Sequence, residues 1–243
     1  MTNPVMKRFD EQSAHETVID SNGVMTVNGA IQITAFLGII LVLAAAFVWS
    51  KFTMGYTDIA TMLTGAGLIG GFVTALLIMI FRTKLLIPVY AACEGLCLGG
   101  ISAAFETSYP GIVSQAVMGT FGALFSMLIL YKFGAIKCTD KFRSVLFIST
   151  LSIAGIYLID LIGRFFHLSV PIIHTSSELG ILFSVIVVAI AALNLIIDFD
   201  FIEQGAQKML PKDYEWFGAF GLMVTLVWVY LEILNLLAKL KRR

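Results

Sequence analysis

The sequence predicts an all-α fold, a polytopic membrane protein built as a bundle of seven transmembrane helices with the seventh at its centre. Three observations carry that prediction. Of 243 residues, 58% are apolar and only 13% charged, too few charges to clothe a water-facing surface. Those charges gather in short gaps between seven apolar runs, each near the about 20 residues needed to cross a hydrocarbon core about 30 Å thick. The last run, finally, holds almost all its polarity on one helical seam.

The elements follow in chain order. Residues 1–30 are polar, with Lys7, Arg8, Asp10, Glu11, Glu16 and Asp20, and lack the basic-then-apolar layout of a cleavable signal. They are expected to be a mobile or interfacial N-terminal segment ahead of a single seven-helix domain over 31–243. The first run, 31–49, then serves as its own targeting signal and ends before Lys51. The second, 60–81, stops at Arg82 to Lys84, and the third, 86–105, at Glu106 to Pro110. The fourth, 112–131, meets Lys132 to Arg143; the fifth, 144–166, meets His167 to Ser177; the sixth, 178–197, meets Glu203 to Glu215; the seventh is 217–237. No gap holds a second domain, and no repeat of solenoid length is present.

Small residues at four-residue spacing, Gly67 with Gly71 and Gly95 with Gly99, read as sites of close helix packing in lipid. Cys93 and Cys97, without a neighbouring histidine, read as small packing residues. An N-terminus on the cytoplasmic side puts Lys7, Arg8, Arg82, Lys84, Lys132, Lys137, Lys141, Arg143, Lys208 and Lys212 inside, as the positive-inside rule asks. Seven full spans would put Lys239, Lys241, Arg242 and Arg243 on the other side, against that rule, so the side of the C-terminus stays open.

Ionisable residues within spans are functional candidates, because each costs several kcal/mol in lipid unless paired or hydrated. They are Glu94, Asp160 with Arg164, Asp198 and Glu232. Asp160 and Arg164, four apart, read as a mutually neutralising pair. In the seventh run Gly218, Gly221, Thr225, Trp228, Glu232 and Asn235 alternate three and four apart, the mark of one helix face. Ser177, Gly180, Ser184, Ala191, Asn194 and Asp198 repeat the device in the sixth. A turn centred on Glu215 would bring Asp198 and Glu232 level; one nearer Lys212 would offset them by about six residues, roughly 9 Å.

Two carboxyl groups held together in low dielectric cannot both ionise cheaply, so they would share a proton and act as a proton sensor. Ionised, the same oxygens suit calcium, a hard cation that takes oxygen ligands. Asn194, Thr225 and Asn235 could line the path, with Glu94 as a further lining residue. The plain alternative is a buried, hydrogen-bonded pair with no transport role. Asp200 and Glu203 read as a solvated helix end or as an ion-attracting cytoplasmic vestibule. Lys plus Arg balances Asp plus Glu at 16 each, so no nucleic-acid partner is implied. Three histidines, His15, His167 and His174, do not offer a zinc-site pattern, and no serine-nucleophile elbow is present, so no enzyme is expected and no cofactor is required.

Jointly, Glu94-Gly-Leu-Cys-Leu-Gly99, Ala192-Leu-Asn-Leu-Ile-Ile-Asp-Phe-Asp-Phe-Ile-Glu203, Trp216-Phe-Gly-Ala-Phe-Gly221 and Tyr230-Leu-Glu-Ile-Leu-Asn235 resemble the Bax inhibitor-1 (transmembrane BAX inhibitor motif) family over nearly the whole chain. Asn3-Pro-Val-Met-Lys-Arg8 and Met25-Thr-Val-Asn-Gly29 resemble its bacterial YccA-like branch. The resemblance implies a seven-helix fold in a bacterial cytoplasmic membrane and a calcium leak that answers to pH through two facing acids. Asp198 matches the acid of the sixth helix, and Glu232 stands where the best-known bacterial relatives have Asp. Arg82 matches an arginine that latches the acids in the closed state. The expected function is a pH-sensitive calcium-permeable channel or leak whose partners are the lipid bilayer, calcium and protons. The alternative is a non-conducting regulatory protein that binds a membrane protease or another membrane protein.

Overall fold

A computed structural model describes residues 23–166, 173 and 175–242. Seven long helices follow one another: α1 Val27–Thr53, α2 Thr57–Phe81, α3 Ile87–Ser108, α4 Ile112–Lys132, α5 Asp140–Phe165, α6 Glu178–Gln207 and α7 Tyr214–Lys241. All seven are long and apolar enough to cross a membrane. Large apolar side chains such as Leu43, Ile69, Phe72 and Ile148 stand exposed on their outer faces. Hydrocarbon is the solvent that suits such a surface.

Local chemistry sets the helix ends. Thr26 caps α1 by accepting from Gly29 N at 2.9 Å, and a one-turn 3₁₀ helix, Lys84–Leu86, leads into α3, where Pro88 sits in the first turn. Glu106 accepts from Gly111 N at 2.6 Å and Val113 N at 3.1 Å, so one carboxylate closes the α3–α4 turn and stabilises the start of α4. Ser177 caps α6 by accepting from Gly180 N at 3.2 Å.

The described part of the N-terminal segment is held in place. Met25 N donates to Leu210 O at 2.7 Å, and Val24 pairs with Pro211 as an isolated bridge. Thr26 donates its backbone N–H and its hydroxyl to Glu215, each at 2.9 Å. The Met25 side chain is 1% exposed and packs against Gly205, where a Cβ would lie 2.6 Å from its sulfur, and near Gly218. Residues 23–26 are thus pinned to the α6–α7 turn and the first helix starts at Val27, four residues earlier than expected. The expectation of a mobile or interfacial segment concerns residues 1–22 otherwise, which lie outside the described residues.

The paired glycines act as close-packing sites. A Cβ on Gly67 would lie 2.6 Å from Cys93 O, and one on Gly95 or Gly99 would lie 2.3 Å from Leu41 O or 2.4 Å from Ala45 O. In lipid, where apolar surface gains little by leaving solvent, such backbone approach is what joins helices. It welds α2 and α1 onto α3. The seventh helix packs against α6, α1 and α4 and touches α3, while Tyr157 of α5 reaches it by hydrogen bond. Helix α2 packs mainly on α3. The seventh helix is therefore the hub, though its neighbours share it unequally.

Candidate functional site

Helix α7 has two unlike faces. Met223, Val227 and Tyr230 turn toward α1, α3 and α4 in one apolar cluster. Gly218, Gly221, Thr225 and Glu232 occupy the other side, and Gly218 abuts Ile202 of α6. The sequence seam is thus an inner polar face against α6 and α5.

The register of the α6–α7 hairpin differs from the level pairing. Gly218 meets Ile202, Gly221 meets Asp198, and Lys239 donates to Gly180 O at 3.0 Å and to Ser184 Oγ at 2.8 Å. Each α6 position therefore meets an α7 position about equally far from Leu210, not from Glu215. Asp198 and Glu232 are offset by about ten residues, roughly 15 Å at the α-helical rise. The reason is where the turn lies: α6 ends at Gln207 and α7 already begins at Tyr214, so the turn centres near Leu210 and Glu215 belongs to the first turn of α7. Because calcium binds its oxygens at about 2.3–2.6 Å, one ion does not bridge both acids at this spacing.

Asp198 sits at the upper level of the seam, with Oδ1 3.4 Å from where a Gly221 Cβ would be. Thr225, one turn on, is a hydroxyl neighbour of its carboxyl, although that hydroxyl donates to Gly221 O at 3.2 Å. Among the described residues, Oδ2 of Asp198 is a buried side-chain oxygen with no hydrogen-bond partner. A buried acceptor left in that state costs about 1–3 kcal/mol. A proton, a water or a cation relieves it.

Glu232 at the lower level is 4% exposed and well served. Its Oε1 accepts from Tyr157 OH at 2.8 Å and from Trp228 Nε1 at 3.1 Å. Lys239, two turns on, adds a buried positive charge on the same side of α7. Tyr157 belongs to an inner face of α5 on which Leu146, Ile153 and Asp160 are also buried. Neither Tyr157 nor Lys239 was singled out by the sequence. The signal available was the spacing Thr150, Ile153, Tyr157 and Asp160, a second mixed seam of three and four.

Asp200, two residues from Asp198, is in the opposite condition. It forms an ion pair with Arg143 and accepts from Gln204 Nε2 at 2.8 Å and Tyr131 OH at 3.3 Å. Tyr131 also donates to Glu203, which is exposed. Asp200 is 8% exposed and so is not a solvated helix end; Glu203 is exposed, but α6 continues past it to Gln207. The α4–α5 loop is tied across this end of α6. Burial, then the Asp200 carboxylate, push the Cys138 thiol in that loop up to about 11, against an opposing pull from Arg143.

The other expected residues are dispersed. Asn194 donates to Thr150 Oγ1 at 3.1 Å and to Ile190 O at 2.8 Å, bridging α6 to α5 on the inner side. Glu94 lies between α3 and α2, 3.5 Å from a Gly71 Cβ position, with Tyr90 as a hydroxyl partner; it does not join the α6–α7 seam. Asn235 is exposed and does not line the seam with Glu232. Arg82 is exposed at the end of α2 in the left-handed region, φ 48, a conformation that costs a residue with a Cβ about 1–2 kcal/mol. Asp160 is buried at 5%, and the side chain of its expected partner Arg164 lies outside the described residues. Among the described residues no three of His, Cys, Asp and Glu converge on a metal position.

Comparison with known proteins agrees with this architecture. A family model described as Bax inhibitor 1 like matches residues 3–242, nearly the whole chain. No curated protein matches.

Proposed function

The chain belongs to the Bax inhibitor 1 like family, and from that premise we propose that it is a pH-sensitive, calcium-permeable leak of the bacterial YccA-like branch in a cytoplasmic membrane. The observation that carries the reading is the buried, unpartnered Oδ2 of Asp198 on the inner face of the central helix. A purely structural acid would have recruited donors, as Asp200 has done two residues away.

The two acids then act in series along the α6–α7 interface. Protonated Asp198 is neutral, and the interface beside Gly221 stays closed to ions. Ionised, it presents unsatisfied oxygen charge that draws in a hydrated divalent cation. Glu232, held by Tyr157 and Trp228, is the second station about three turns further, and Lys239 beyond it limits how deeply a cation is stabilised. Arg82 takes the role of a latch on the strength of the resemblance; its left-handed backbone is a common way for a helix to end.

Calcium uptake into liposomes containing only the purified protein tests the proposal. Uptake above that of protein-free liposomes, rising between about pH 6 and pH 8, is expected. No uptake at any pH in that window would contradict it and leave the regulatory alternative.

A further inference from the structure

The apolar face of α7 is incompletely covered. Helices α1 and α4 both pack on it but do not form a packed pair with each other. Between them runs a groove of about 510 Å³ whose floor includes Met223, Leu226, Val227 and Tyr230 of α7. Gly38, Ala45 and Ala46 form much of the α1 wall, and Val113, Val117 and Phe121 the α4 wall. Val42 and Phe121 on the rim are 62% and 54% exposed, so the groove opens sideways, out of the bundle.

Its chemistry excludes a polar occupant. The Thr34 hydroxyl donates to Ala30 O at 2.8 Å, that of Thr120 donates to Ala116 O at 2.8 Å, and those of Ser102 and Tyr230 lie 2.6 Å apart in one hydrogen bond. The remaining lining is almost wholly hydrocarbon, so water gains no partners there and an apolar cavity stays dry. Left empty, the groove would forfeit dispersion contacts along its whole length. All four contributing helices are membrane-length at this position, and the side opening therefore faces acyl chains. From Thr34 to Trp49 the wall extends 15 residues of α1, about 22 Å, longer than the roughly 15 Å of one leaflet's hydrocarbon.

We propose that this groove is a lipid site that takes one acyl chain of a membrane phospholipid and lays it against the central helix between α1 and α4. The chain enters sideways from the bilayer and covers Leu226, the half-buried α7 residue of the groove floor, while the protein itself already buries Met223 and Val227. Phospholipid in the surrounding bilayer does not reach Leu226 without entering the groove. The inference rests on the groove alone and is independent of the ion path on the opposite face of α7.

Gly38 supplies the test. A Cβ there meets nothing within 4 Å, so Gly38→Phe can fill the groove without displacing the backbone. The protein is reconstituted in phosphatidylcholine vesicles containing a small fraction of phosphatidylcholine with a diazirine midway along one acyl chain. After irradiation, mass spectrometry maps the adducts. Adducts on Leu226 that fall at least fivefold in Gly38→Phe, while adducts on outward Leu43 and Phe72 persist, are expected. Val117→Trp, which fills from the α4 wall, should do the same and stands in should Gly38→Phe not fold. Adducts confined to outward faces in the wild type, or floor adducts undiminished in the folded filling variant, would overturn the proposal.

Discussion

Asp198 and Asp200 share a helix and lie two residues apart, yet the fold treats them in opposite ways. Asp200 has an arginine, an amide and a phenol around it, whereas Asp198 keeps a buried oxygen with no partner among the described residues. The difference follows from the turn of the helix. Two residues rotate a side chain by about 200°, so Asp200 points to the facing ends of α4 and α5, where Tyr131 and Arg143 supply donors, and Asp198 to the glycine-lined face of α7, which supplies few. Burial alone therefore does not mark a working acid. An acid completed by its neighbours holds the fold together, and one left incomplete is available to a proton or an ion.

Removing each acid in turn should separate stability from flux. Asp200→Ala leaves Arg143 without its partner and is expected to lower unfolding stability by about 3 kcal/mol, read as a lower midpoint of thermal or denaturant unfolding in detergent. Asp198→Asn removes no ion pair and should move stability by less than about 1 kcal/mol. Equal losses in the two variants would erase the distinction between them.

Glu232 extends the comparison to an acid of mixed character, buried and hydrogen-bonded but facing the seam. Glu232→Gln keeps an acceptor for Tyr157 and Trp228, so a stability change within about 1 kcal/mol should accompany a clear fall in calcium flux at high pH. Unchanged flux would make Glu232 a structural acid like Asp200. Arg82→Gln should raise flux at low pH and leave flux at high pH nearly as it was; a uniform change across pH would remove the latch.

The smallest effect concerns the loop that completes Asp200. Burial and the Asp200 charge hold the Cys138 thiol above its ordinary range, so the reactive thiolate is scarce near neutral pH. Asp200→Asn removes the raising charge, the thiol titrates at lower pH, and maleimide labelling of Cys138 at pH 8 should quicken several-fold. Labelling at the wild-type rate would mean that Asp200 does not govern this loop.

Much of this arrangement is legible in the residues. The seam of Gly218, Gly221, Thr225, Trp228 and Glu232 follows from spacing, because a central helix in lipid must put polar and small groups where neighbours approach. The close-packed Gly67, Gly95 and Gly99 are legible for the same reason, whereas a Cβ at Gly71 would meet Glu94 only at 3.5 Å. What escapes is whatever depends on where helices end. Helix α6 runs on to Gln207 through Asp198, Asp200 and Glu203, residues whose polarity resembles a terminus, and α7 takes in Glu215 in its first turn, so the turn centres near Leu210 and the acids lie at different levels. Arg143 for Asp200, Tyr157 for Glu232 and Thr26 for Glu215 escape as well, since each partner comes from a distant stretch of chain.

The most direct test of the ion path is the pH profile of calcium flux in proteoliposomes, from about pH 6 to pH 8, for the wild type, Asp198→Asn and Asp200→Asn at matched protein density. Flux in the wild type and in folded Asp200→Asn should rise with pH, because losing the proton exposes the Asp198 charge, while Asp198→Asn should give a flat profile. Should Asp198→Asn keep the wild-type profile, the unpartnered oxygen of Asp198 would not be the pH-responsive element.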